Sequence, residues 1–91
     1  MEGTEFEKRF TYHAPTEDSA PRYRRLRAEF HRLGLMIGAL APESLERELA
    51  GTALDESMMW AKAALDRNPD NLPPVEVFER RFGEALCPST V

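Results

Sequence analysis

The chain has little of what most enzymes and membrane proteins need. A single cysteine, Cys87, can close no internal disulfide and build no thiolate cluster, a usage that fits a reducing compartment. Two histidines, His13 and His31, are too few for the histidine–carboxylate repeats of helical metal sites. The five glycines are scattered and match neither phosphate-cradling fingerprint, which argues against a nucleotide-hydrolysing loop. No apolar run approaches the ~20 residues that span a bilayer. Met1-Glu2-Gly3-Thr4-Glu5 is acidic and lacks the apolar stretch of a secretory signal. Gly3 is not in the second position, so a myristoylation signal is absent as well. These gaps point away from catalysis, cofactors, metals and membranes, and toward a small binding protein of the cytoplasm.

Charge is unevenly spread. The net formal charge of -4 disfavours bulk binding to DNA or RNA. Yet Arg22, Arg24, Arg25, Arg27 and Arg32 crowd one short window that holds a single acid, Glu29. A local basic patch on an acidic chain suits a compact anion better than a long polyanion. The planar fork of arginine matches phosphate oxygens and stacks on bases.

Periodicity predicts an all-α fold: a short N-terminal helix, a long antiparallel helical hairpin and a short C-terminal helix. Thr4 and Glu7 form a capping-box pattern, and Phe6 and Phe10 share a face of a helix over about 5–10. Pro21 is placed to open a long helix over about 21–40. Within it Tyr23, Leu26, Phe30, Leu33, Ile37 and Leu40 recur at alternating spacings of three and four. Gly34 and Gly38 leave one side of that helix bare, for close approach of another helix or for a kink. Ala41-Pro42 stops it, and Pro42 is placed to start a second helix over about 42–67. So short a connection makes the two helices an antiparallel hairpin.

The second helix carries Leu45 and Leu49 on one stripe and Leu54, Met58, Ala61 and Leu65 on another. Met59, Trp60, Ala63 and Ala64 add apolar surface between them, more than one hairpin can cover. That excess predicts packing against the N-terminal helix and other subunits. A run from Asn68 to Pro74 with three prolines breaks the helix, and Val75, Phe78, Phe82 and Leu86 mark a last amphipathic segment. The chain thus divides at residue 68 into a hairpin domain, 1–68, and a proline-led appendage, 69–91, of the same unit.

Two features carry recognition chemistry. Arg24, Arg27 and His31 share a stripe of the first long helix. Just before that helix, Arg9-Phe10-Thr11-Tyr12-His13-Ala14-Pro15 sets flat rings and a fixed cation at a chain turn. Aromatic faces beside guanidinium groups suit the base and phosphate of a nucleotide.

That turn, the hairpin, and the segment from Met58 to Asn68 together resemble a phage family. Its members are small anti-CBASS proteins sharing a hairpin domain with one type of anti-Thoeris protein. The resemblance implies a sponge that binds cyclic oligonucleotide immune messengers without cleaving them, in the host cytoplasm, as a homohexamer. Cyclic dinucleotides would lie between pairs of protomers, and cyclic trinucleotides at separate sites near the threefold axis. Tyr12 matches the family's base-stacking tyrosine, and Arg27 its phosphate-contacting basic residue, which is often lysine there. Arg9, His13 and Arg24 are the other residues expected at the dinucleotide site. Arg67 matches the arginine of the trinucleotide site, whose other contact has no counterpart here, with Ala28 and Glu29 in its place. Two further readings stand beside this one: a sponge for cyclic ADP-ribose isomers, and an oligomerisation or adaptor module without a small ligand.

Overall fold

In the computed structural model, residues 16–86 are described. They form α1 (Ser19–Leu40), α2 (Leu45–Arg67), a 3-10 turn (Pro69–Asn71) and α3 (Val75–Phe82), with no strand among them. The short helix expected over about 5–10 lies outside the described residues.

The first long helix starts two residues earlier than Pro21 suggests, because Thr16 and Ser19 cap each other. The backbone N–H of Ser19 donates to Thr16 Oγ1 at 2.9 Å, and that of Thr16 donates to Ser19 Oγ at 2.9 Å. This is the reciprocal logic of a capping box with serine at the second position. Pro21 then falls within the first turn, where its missing N–H leaves no intrahelical bond unmade. Pro42 does not open α2 as expected. Ser44 does so instead, its Oγ accepting from the N–H of Arg47 at 3.1 Å. Glu46 and Glu48 sit in the first turn of α2 and Arg67 in its last, the charge order the helix dipole favours. Arg47 reaches back across the connection to the carbonyls of Gly38 (3.1 Å) and Ala41 (3.3 Å), satisfying acceptors at the end of α1.

The two long helices pack along Leu26, Phe30 and Ile37 of α1 and Leu54, Met58, Ala61 and Leu65 of α2, all at least half-buried. Gly34 is required neither for a close approach nor for a kink: a Cβ built there would lie 3.5 Å from Leu54 Cδ2, an ordinary contact, and α1 runs on without a break. Lys62 stacks its ammonium over the Tyr23 ring at 5.4 Å and bonds Asp66 at 2.6 Å.

α3 folds back over the open end of the hairpin. Arg25 of α1 sits 5.1 Å from the centre of the Phe78 ring and bonds Glu84 just beyond α3, while Glu29 approaches its Nε at 3.1 Å. Gly83 ends α3 in the left-handed conformation (φ 67°), its N–H donating to the Glu79 carbonyl at 2.8 Å. The C-terminal segment therefore docks on its own hairpin through Val75 and Phe78, whereas Phe82 is left exposed.

This arrangement buries very little. Among the described residues Leu65, 8% exposed, is the one buried apolar side chain, and none is fully buried. Leu40 is 80% exposed, Leu45 68% and Trp60 54%. The radius of gyration, 16.0 Å, exceeds the ~12 Å of a compact chain of this length. The stripes fix which faces of α1 and α2 meet, and most of the remaining apolar surface stays open.

Candidate functional site

The helical spacing that puts Leu26 and Phe30 against α2 puts Arg24, Arg27 and His31 at the edge of the same seam. There the two long helices enclose an open groove of about 690 Å³. From α1, Arg24, Arg27 and His31 form one rim, with Phe30 and Gly34 behind them. From α2 come Leu54, Asp55 and Met58. The floor is apolar and the polar groups stand at the edge, the usual plan of a small-molecule site.

Electrostatics divides the arginines. Arg22 pairs with Asp18 at 3.3 Å, and Arg25 with Glu29 and Glu84. The hydrogen bond to Glu84 is the main reason the Arg25 guanidinium is raised above its ordinary value. Arg24 and Arg27 form no ion pair with any described residue, and both are exposed. The groove thus offers two uncommitted guanidinium forks and one imidazole against a single carboxylate, Asp55. Such a site attracts a small anion and gives an adjoining ring an apolar bed.

The expected site residues divide accordingly. Arg24 and Arg27 come together in this groove. Arg9, Tyr12 and His13 lie outside the described residues. Arg67 closes α2, is half-buried and lines neither this groove nor the one under α3. Asp55 and Met58 were not singled out as site residues by pattern. Met58 reads as core spacing, and Asp55 as an ordinary solvated acid beside Leu54. Its place can be inferred only once the register of α1 against α2 is known.

The match to known proteins now has a geometry to attach to. Residues 2–66 match the family described as Acb2/Tad1, hairpin domain. The chain belongs to that family. Searches of curated proteins and of solved structures give no match. The Acb2/Tad1 hairpin match ends one residue before α2 does, so it takes in the whole groove and leaves out the turn and α3. It is the domain of the phage anti-CBASS and anti-Thoeris sponges, which sequester ligands. Among the described residues no group of three potential metal ligands comes together. Nor is any described helix long and apolar enough to cross a membrane.

Proposed function

We propose that this chain is a phage immune-evasion protein that sequesters cyclic dinucleotides, intact, in the host cytoplasm and so keeps CBASS effectors unactivated. The observation that carries the reading is the groove beside the α1–α2 seam, where Arg24 and Arg27 stand uncommitted over an apolar floor. A cyclic dinucleotide has two phosphates and two flat bases. Arg27 takes phosphate, with Arg24 beside it, and Tyr12, His13 and Arg9 supply the stacking and charge of the opposite wall. Two protomers meeting about a two-fold axis provide each of these groups twice, within the hexamer expected of a sponge of this kind. Each base stack contributes ~1–3 kcal/mol and each charge-assisted hydrogen bond roughly 1.5–3 kcal/mol before ordering costs. A preformed pair of such sites reaches nanomolar affinity. Arg67 is the residue through which a cyclic trinucleotide would be held.

The test is calorimetric titration with a panel of cyclic dinucleotides, cyclic trinucleotides and cyclic ADP-ribose isomers. The complex is then denatured and the released ligand identified. Tight binding of a cyclic dinucleotide, returned unhydrolysed, is the expected result. Preferential binding of a cyclic ADP-ribose isomer, or release of a cleaved product, overturns the reading.

A further inference from the structure

The least expected group in an anion-binding groove is an acid. Asp55 lines the groove with Arg24 and Arg27, yet it forms no ion pair with any described residue. A carboxylate there repels a phosphate, and neither guanidinium neutralises it. Its position along the groove suggests what it meets instead. Leu54, its neighbour, packs at Gly34, and Gly34 lies seven residues from Arg27. At 1.5 Å per helical residue the two ends are separated by roughly 10 Å. That span is comparable to the reach from a nucleotide's phosphate to the Watson–Crick edge of its base. A nucleotide with its phosphate on Arg27 and its base lying toward Gly34 would bring the base edge toward Asp55, which lines the same groove.

We infer that Asp55 reads this base and selects guanine, so that the groove prefers guanine-containing cyclic dinucleotides. The inference rests on the cyclic-dinucleotide reading above and deepens it. A carboxylate is acceptor-only. The Watson–Crick edge of guanine presents two adjacent donors, N1–H and the 2-amino group, which a carboxylate accepts as a parallel pair. Adenine presents one donor beside an acceptor, N1, so a carboxylate oxygen faces a lone pair and the complex is penalised. Uracil offers one donor between two acceptors and fares little better. One acid therefore provides both the attraction toward guanine and the repulsion toward its competitors that discrimination needs.

The substitution Asp55→Asn isolates this role. It keeps the shape, removes the charge, and replaces one acceptor by a donor, which turns the edge into a complement of adenine. Asp55 is exposed on α2, so helical content and melting serve as the folding control. Titrating the full chain and the variant with cyclic di-GMP and cyclic di-AMP reads the result. The wild type is expected to prefer cyclic di-GMP by about tenfold or more, and the variant to lose or invert that preference. Equal affinity of the wild type for both ligands overturns the inference and leaves the sponge reading standing. A variant that binds both more tightly by the same factor also overturns it, because that is simple relief of charge. Binding of neither ligand overturns the sponge reading itself, and this inference with it.

Discussion

Within α1, four arginines that look alike in sequence, Arg22, Arg24, Arg25 and Arg27, fall into two classes, and their partners decide which. Arg22 is held by Asp18 a turn before it, and Arg25 by Glu29 a turn after it and by Glu84, 59 residues away. Arg24 and Arg27, one and two residues off those positions, turn to the groove. Helical spacing shows which arginines share a face, and so Arg24, Arg27 and His31 were legible as one stripe. The use of Arg25 was not, because no local pattern pairs it with Glu84. If Arg27 takes phosphate as proposed, replacing it by alanine removes a charge-assisted hydrogen bond, and affinity for a cyclic dinucleotide should fall about 10- to 100-fold by calorimetry. Melting should change little, as for most surface substitutions. Arg25→Ala should act the other way round, leaving ligand affinity near wild type while the amides of α3 exchange faster with solvent. The raised value of the Arg25 guanidinium gives the sign of any pH effect. Its contribution is fully present below the ordinary guanidinium range and is lost only in strong alkali. Protection of α3 measured at pH 6 and 9 should therefore show no loss from this group.

At the scale of elements, the hairpin follows from local rules, and its boundaries from side chains those rules underrate. Alternating spacings of three and four give both long helices, and Pro42 guarantees the break between them. Where each helix begins is fixed by hydroxyls, Thr16 with Ser19 and then Ser44, not by the prolines that dominate the pattern. A proline tolerates a first turn; a hydroxyl satisfies its open N–H groups. The apolar stripes were legible as stripes, but their partners only in part. Leu26, Phe30 and Ile37 meet α2, while Leu33 and Leu40 of the same series stay exposed. Gly34 offers a test of the packing. Its backbone is helical, and an added Cβ would meet Leu54 at normal contact distance. Gly34→Ala should then stabilise the hairpin by about 0.5–1 kcal/mol, through lower chain entropy in the unfolded state. A fall in the denaturant midpoint would instead mean that the two helices approach more closely than the hairpin geometry gives.

For the whole molecule, the deciding quantity is apolar surface without a partner. Leu35, Leu40, Leu45 and Leu49 crowd the closed end of the hairpin, and Met59 and Trp60 continue the exposure along α2. One buried apolar residue among the described residues cannot offset the entropy of ordering two helices of more than twenty residues each. The excess on α2 was readable in the sequence as more apolar surface than one hairpin covers. Which residues would remain open was not, because that depends on how α1 and α3 lie across it. Association of further copies of the chain, as proposed above, would remove this surface from water. Leu49→Glu places a charge in the patch without touching the groove. If copies associate there, light scattering should show the wild type at a multiple of 10.4 kDa and the variant shifted toward a single chain. The variant should also lose thermal stability and much of its ligand affinity, since a site shared between protomers is halved when they part. An unchanged mass for Leu49→Glu would free this patch from assembly. A wild-type mass of 10.4 kDa would mean that the hairpin folds with its leucines in water.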